Sequence, residues 1–147
     1  MEQGLSLLTL GVPDLAEARR FYVDGLGWQP TLDLPEVVFL QVAPGVLLSL
    51  FDAVSLADDA QVPAAAPGLT SSFSLAHLVA SPEEVAEVIA TAEAAGATVV
   101  KPAQRAFWGG THGYFADPAG FLWEVAHNPG LSVAADGTVT IAEVDAG

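Results

Sequence analysis

The distribution of apolar and polar residues along the first third of the chain predicts one helix among four strands. Four short apolar segments are typical of strands and are separated by turn residues: residues 5–12, 28–33, 37–43 and 46–52. After the first of them, Asp14 and Glu17 have the spacing of a helix capping box. Leu15, Ala18 and Tyr22 then follow at helical intervals. The predicted order is therefore β-α-β-β-β.

The second half of the chain predicts the same order of elements again. Ser81, Pro82 and Glu84 provide an N-cap, a proline at the first helical position and a glutamate at the third, which together start a helix. Gly96 ends that helix. The strand-like segments around it are residues 72–79, 98–101, 111–117 and 121–126. The chain thus contains an internal repeat.

Matching residues support this repeat. Val12 and Tyr22 in the first half align with Val79 and Ile89 in the second half at one constant offset. The closing strands of the two halves also align, at a different offset, because the loops between them differ in length. The fold class predicted by this order is α+β, with two tandem βαβββ modules.

The repeat divides a single domain into four segments. The two modules are residues 1–56 and 70–129, and an alanine- and proline-rich linker at residues 57–69 joins them. The tail, residues 130–147, contains Asp136-Gly137 between short apolar runs, which is typical of a hairpin turn that covers a sheet edge.

Two motifs resemble those of a known superfamily. Residues 8–15 (LTLGVPDL) and residues 114–124 (YFADPAGFLWE) resemble the start and the end of the vicinal-oxygen-chelate superfamily. It includes glyoxalase I, extradiol dioxygenases, fosfomycin-resistance proteins and bleomycin-binding proteins. The resemblance covers residues 5–128 and implies a paired, cup-shaped curled sheet, the glyoxalase/bleomycin resistance fold, in chains that pair as homodimers. Within the closing motif we expect residues 117–120 to form a turn and nothing else.

The resemblance also implies where a metal ion would be bound. Metal-dependent members place one ligand, usually His or Glu, on the first and last strand of each module. The matching positions here are Leu7, Ser49, Ser74 and Glu124. Leucine has no donor atom and a neutral serine is a poor ligand, whereas a divalent ion needs several donors at about 2 Å. We therefore expect neither a metal of the superfamily type nor another cofactor.

Glu124 alone keeps its place among these positions, and the resemblance places it inside the cup. A carboxylate in a mostly neutral setting needs hydrogen bonds or a cation. The neighbours expected there include four hydroxyl groups that can donate, those of Thr9, Ser49, Ser74 and Tyr114. Glu124 is then either satisfied by these hydroxyls without further use, or an anchor for an amine, or a general acid or base.

Three further side chains are candidates for the same site. His112 has the strand parity of Tyr114, the phase that faces the cup, whereas His77 has the parity of the helix side and is expected to be structural. Tyr114 matches a position at which fosfomycin-resistance relatives use a tyrosine at the substrate, or it is a packed strand aromatic. Trp108, beside Gly109-Gly110, lies in a segment suited to a mobile flap that stacks on a flat ligand.

Composition excludes several classes of function. The chain has 147 residues, 52% of them hydrophobic, and a formal net charge of −14 from 18 acidic and four basic residues. Four cations cannot form a surface for nucleic acid or an anionic membrane. Without cysteine there is no disulfide, thiolate nucleophile or zinc–thiolate site. The sequence shows no signal peptide or membrane span, which predicts a cytoplasmic protein. The acidity favours solubility or the attraction of a cationic ligand.

Three functional hypotheses follow. The first is a small-molecule binding protein of the glyoxalase/bleomycin-resistance type, without the usual metal site, that holds an aromatic or cationic compound in the cup between the modules. Its ligand-binding residues are Leu7, Thr9, Ser49, Ser74, Trp108, His112, Tyr114 and Glu124. The second is an enzyme of lyase, isomerase or dioxygenase type in which Glu124 acts with His112 or Tyr114 as catalytic residues. The third is a non-catalytic interaction or structural dimer.

Overall fold

Two βαβββ modules follow each other along the chain in the computed structural model, which describes residues 3–63 and 73–142. In the first module, the helix α1 continues directly into a π-helical segment. The elements of this module are β1 (Leu7–Val12), α1 (Leu15–Arg19), the π-helical segment (Arg20–Gly25), β2 (Pro30–Asp33), β3 (Val37–Ala43) and β4 (Val46–Asp52).

A helix, α2 (Ala53–Ala60), follows the first module, and a hairpin follows the second. The second module consists of β5 (Leu75–Leu78), α3 (Pro82–Ala94), β6 (Thr98–Arg105), β7 (Thr111–Ala116) and β8 (Leu122–His127). The hairpin strands are β9 (Leu131–Val133) and β10 (Val139–Ile141). None of the helices in the described ranges is long and apolar enough to cross a membrane.

The two modules have the same sheet topology. The strand order is β1-β4-β3-β2 in the first sheet and β5-β8-β7-β6 in the second. In each sheet the first and last strands of the module pair in parallel, and the remaining pairs are antiparallel. This arrangement confirms the α+β fold class and the predicted tandem repeat.

The helices begin where the sequence predicts them. The Asp14 carboxylate accepts a hydrogen bond from the Glu17 backbone N–H at 2.9 Å, and the Ser81 hydroxyl accepts one from the Glu84 N–H at 3.3 Å. Each bond satisfies one backbone donor that the first turn of a helix leaves unpaired.

The predicted linker differs from the structure at its start. We expected a linker from residue 57, but the helix α2 spans eight residues and crosses the expected boundary between residues 56 and 57. Its N-cap explains the length, because the Asp52 carboxylate accepts from the backbone N–H of Ser55 at 2.7 Å and from its hydroxyl at 2.8 Å. Residues 64–69 of the predicted linker, together with Ser72 at the start of the expected strand, lie outside the described ranges.

Buried aromatic side chains join the two modules. The Tyr22 hydroxyl, in the π-helical segment, donates to Asp117 Oδ2 at 2.6 Å and accepts from Trp123 Nε1 at 2.9 Å. All three residues are buried, and Trp28 packs against the rings of Tyr22 and Trp123. The expectation that residues 117–120 serve only as a turn was therefore wrong: Asp117 also accepts from the Phe121 N–H at 2.8 Å and holds the first module through Tyr22.

Burial changes the acidity of both polar groups in this contact. Burial raises the pKa of the Asp117 carboxyl above its ordinary value, although its hydrogen bonds from Tyr22 and Phe121 act in the opposite direction. Burial also raises the pKa of the Tyr22 phenol well above 10.0, and the nearby Asp117 charge adds to that effect. The folded state thus favours a protonated phenol.

We predict that Tyr22→Phe destabilises the protein by about 1–3 kcal/mol, because the Trp123 N–H loses its acceptor and Asp117 loses a donor in the interior. The variant should also weaken the dependence of the unfolding free energy on pH in the alkaline range. In the wild type the unfolded chain releases the phenol proton before the folded one, so this stability is fully present below about pH 10 and is lost as pH rises through the folded pKa. Urea unfolding at a series of pH values measures both effects.

The matched control is Tyr114→Phe, which removes the other tyrosine of the chain. This control should keep the steep loss of stability at alkaline pH that Tyr22 causes. Equal slopes of stability against pH in the wild type and in Tyr22→Phe would contradict the prediction.

Candidate functional site

A hydrogen-bonded chain of three side chains lies on one face of the second sheet. His112 Nδ1 is 2.7 Å from Glu124 Oε1, and His112 Nε2 is 2.7 Å from Lys101 Nζ. An ammonium group can only donate, so Nε2 accepts from Lys101 and Nδ1 carries the hydrogen that is donated to Glu124. This geometry assigns a neutral imidazole between a cation and an anion.

Strand register places Glu124 and its neighbours on this face. Trp123 and Val125 pack into the core with α3, so the alternation along β8 turns Glu124 to the opposite side of the sheet. Tyr114 is directly opposite Glu124 on β7, and His112 is two residues away on the same strand. The sequence-based prediction that His112, Tyr114 and Glu124 share a face agrees with this register.

Lys101 reaches the same face because β6 is irregular. Val99 pairs with Phe115 of the core, but the register then shifts by one residue and Lys101 pairs with Tyr114. A β-bulge of this kind turns a side chain to the other face of a sheet. The sequence analysis missed Lys101, because strict alternation would place it on the side of Val99. The one available signal was Pro102, which has no N–H for a strand ladder and is often found at bulges.

Gly113 makes room for this irregular strand. A Cβ at Gly113 would lie 2.5 Å from Ile89 Cδ1 and 2.7 Å from the Lys101 carbonyl oxygen. Only a residue without a side chain allows β7 to approach both α3 and the bulged part of β6 so closely.

Two aromatic rings flank His112. The Trp108 and Tyr114 ring centroids each lie 5.5 Å from the imidazole centroid, in nearly edge-on orientations. Trp108 belongs to a tight turn, in which the Ala106 N–H donates to the Gly110 carbonyl at 2.8 Å. A Cβ at Gly110 would overlap the Trp108 ring, so this glycine lets the indole fold back toward the site.

The electrostatics of this face are balanced. The side chains of His112 and Glu124 are 12% and 23% exposed, so water screens the interaction only partly. Lys101 and Glu124 contribute one charge of each sign. Burial and the neighbouring Glu124 carboxylate raise the pKa of Tyr114, which keeps its phenol protonated.

Of the remaining predicted ligand-binding residues, three belong to the first sheet and one precedes β5. Thr9 and Ser49 are direct partners across β1 and β4, and Leu7 lies on the same face of the first sheet. Ser49 is buried and Leu7 is exposed. Ser74 is exposed and precedes β5. We expected the hydroxyls of Thr9, Ser49, Ser74 and Tyr114 to donate to Glu124. His112 donates to this carboxylate at 2.7 Å, and of the four hydroxyls the Tyr114 phenol lies beside it.

Helix α2 lies near this part of the first sheet. A Cβ at Gly11, which has the strand phase of Thr9, would lie 3.1 Å from Leu56 Cδ2 of α2 and 3.2 Å from the Ala53 Cα. The helix therefore covers one end of the face that carries Thr9 and Ser49.

A family model for the Glyoxalase/Bleomycin resistance protein/Dioxygenase superfamily matches residues 4–125. The chain belongs to this superfamily. Among solved structures, a glyoxalase-related enzyme from Fulvimarina pelagi is 38% identical, with a TM-score of 0.88 over 96% of this chain and 99% of that one. No curated protein matches the chain.

Two more distant superfamily structures are similar over most of their length. A glyoxalase/bleomycin resistance protein/dioxygenase from Nocardioides is 26% identical, with a TM-score of 0.71 over 86% of this chain and 84% of that one. A lactoylglutathione lyase from Agrobacterium tumefaciens is also 26% identical, with a TM-score of 0.64 over 86% and 95%. These similarities agree with the resemblance that the two sequence motifs carry.

The described residues at this face offer one imidazole and one carboxylate as possible ligands of a metal ion. The described parts of the chain contain no group of three His, Cys, Asp or Glu side chains that could hold a metal ion. Glu124 and His112 are adjacent, but the second imidazole nitrogen faces the Lys101 ammonium. A cation that only donates hydrogen bonds thus lies where a further ligand would be needed.

An apolar cavity of about 650 Å³ lies beside the second sheet. Its lining includes Leu8, Leu48, His77 and Trp123. His77 pairs with Val125 and shares its helix-side phase, as its parity predicts. The cavity lining also includes Ala76, the strand partner of Glu124, but none of Lys101, His112 and Glu124.

We predict that Gly113→Ala displaces the bulge, because its methyl group would collide with Ile89 and with the Lys101 backbone. The expected loss of stability is about 1–3 kcal/mol, typical of overpacking. The His112 ring signals in NMR should shift at the same time, as Lys101 moves away. Gly4→Ala is the control, because no atom lies within 4 Å of its added Cβ. An unchanged His112 signal in Gly113→Ala would contradict this account.

We also predict that Glu124→Gln lowers the pKa of Tyr114 toward 10.0, because the substitution removes the negative charge beside the phenol while its burial remains. NMR of isotopically labelled tyrosine follows this titration separately from that of Tyr22. Glu93→Gln, an exposed position on α3, should leave the pKa of Tyr114 unchanged. The idea fails if the two variants give the same Tyr114 titration as the wild type.

Proposed function

We propose that this superfamily member binds a flat organic molecule, without a bound metal, on the face of the second sheet that carries Lys101, His112, Tyr114 and Glu124. The observation that carries the proposal is the half-buried imidazole held between a carboxylate and an ammonium group and flanked by two aromatic rings. A few fixed polar groups beside aromatic surface are typical of small-molecule sites.

The contacts favour an aromatic ligand over a purely cationic one. The Glu124 carboxylate already accepts from His112, and the Lys101 ammonium lies on the far side of the same imidazole. A cationic ligand would therefore compete with His112 and approach a like charge. The Trp108 and Tyr114 rings, in contrast, offer surface on which a flat ligand can stack.

Four residues form the centre of the proposed site: Trp108, His112, Tyr114 and Glu124. The positions Leu7, Thr9, Ser49 and Ser74 stay predictions from the sequence, as do the homodimer and the cytoplasmic location.

A second candidate function is a proton-transfer enzyme of lyase or isomerase type. The hydrogen-bonded chain from Lys101 through His112 to Glu124 favours it, because connected titratable groups can hold and pass a proton. In support, the 38% identical relative from Fulvimarina pelagi is described as a glyoxalase-related enzyme. In such an enzyme Glu124 would act with His112 or Tyr114.

Screening a library of small aromatic compounds by NMR tests the proposed function. Binders should shift the Trp108 indole and Tyr114 signals, and a binder at a hundred times its Kd should stabilise the protein by about 2.7 kcal/mol. Trp108→Ala should weaken binding by up to about tenfold. Phe107→Ala is the matched control, because this neighbouring aromatic is 93% exposed. Binders that leave Trp108 and Tyr114 unperturbed would contradict the proposed location.

Metal analysis tests the proposal that the site binds its ligand without a metal ion. Protein purified without chelator should contain substoichiometric metal, and Ni²⁺, Zn²⁺, Mn²⁺ and Fe²⁺ should not raise its melting temperature. Stoichiometric metal that disappears in Glu124→Gln would show that the site is a metal centre after all.

A further inference from the structure

We infer that the ligand of this site carries an anionic oxygen, such as a carboxylate, which Lys101 binds. This inference rests on the proposed function, because it names the chemical class of the molecule held on the same face.

The backbone of β6 is distorted on both sides of Lys101. One register shift lies between Val99 and Lys101, and a second lies between Lys101 and Gln104. Ala103, inside the second irregularity, packs against the core, as Val99 does before the first. The strand thus turns the Lys101 side chain to the opposite face from Val99 and Ala103. Bulges that redirect one side chain are frequent next to binding and catalytic sites.

The Lys101 ammonium has donors that the described residues do not use. It carries three N–H groups, and its hydrogen-bond partner within the described ranges is His112 Nε2 at 2.7 Å. The chain has 18 acidic residues, yet in the same ranges no carboxylate lies within 4.0 Å of this ammonium. Because the Glu124 carboxylate contacts His112 and not the ammonium itself, an anion that supplies two acceptors to Lys101 would be bound favourably.

Aromatic surface lies directly beside this cation. Lys101 Nζ is 5.8 Å from the centroid of the Tyr114 ring, and the Trp108 ring centroid is 5.5 Å from that of His112. A molecule that combines a flat ring with a carboxylate would stack on the rings and direct its charge to Lys101. The overall charge of −14 opposes such a ligand only at long range, since salt screens exposed charges beyond about 10 Å.

Four probes that differ in charge or in the ring test this inference: benzoate, its neutral analogue benzamide, its cationic analogue benzylamine, and acetate, which lacks the ring. Their affinities are measured by the shift of the Trp108 indole signal in NMR. Benzoate should bind at least about tenfold more tightly than benzamide, because a charge-assisted hydrogen bond is lost in the amide. Benzylamine and acetate should bind more weakly than benzoate.

Variants of Lys101 separate ligand binding from a purely structural role. Lys101→Met should reduce benzoate affinity to that of benzamide, and Lys101→Arg should retain the preference for benzoate. Arg105→Met removes an exposed cation of the same strand and should leave both affinities unchanged. Thermal unfolding of each variant checks that it is folded. If Lys101→Met does not fold, the benzoate and benzamide affinities of Lys101→Arg are compared with those of the wild type instead.

The outcomes distinguish the inference from the function on which it rests. Equal affinities for benzoate and benzamide, a preference for benzylamine, or a benzoate preference that persists in Lys101→Met would overturn the inference and leave the proposed function standing. If none of the ring-containing probes shifts the Trp108 signal in the wild type, the proposed function fails and the inference with it.

Discussion

The hydrogen bonds among Tyr22, Asp117 and Trp123 connect the two modules through the interior. Tyr22 comes from the first module and the other two residues from the second, so their positions depend on each other. Trp123 directly precedes Glu124 on β8. Because adjacent side chains of a strand point to opposite faces, holding Trp123 in the core turns Glu124 to the polar face. The buried contact between modules therefore also orients the candidate site.

Much of the fold follows from local chemistry in the sequence. The bounds of β3 and β4 agree with the predicted segments, and the two helices predicted from their N-caps begin at the predicted residues. Strand parity placed His112 on the face of Tyr114, and the superfamily resemblance placed Glu124 in the same cup. Strand parity alone would place Lys101 on the wrong face, because a bulge breaks the alternation of side chains in β6. The role of Asp117 was also missed, because its partner Tyr22 is distant in sequence and comes from the other module.

The site shows how one fold can carry different chemistry. The positions that the sequence resemblance matches to metal ligands are Leu7, Ser49, Ser74 and Glu124, and the positive charge near Glu124 belongs to a lysine. A lysine ammonium supplies a single charge and three movable donors, whereas a divalent ion imposes a coordination geometry. Membership of the superfamily therefore predicts the scaffold of this protein better than its reaction.

The closed turn at residues 106–110 also affects the thermodynamics of recognition. Its backbone hydrogen bonds and the space above Gly110 hold the Trp108 ring next to His112. Binding then need not order this side chain, and such ordering would cost about 0.5–1.5 kcal/mol for each immobilised side chain. A small molecule that makes few contacts can therefore bind with useful affinity, because the Trp108 ring is already in position.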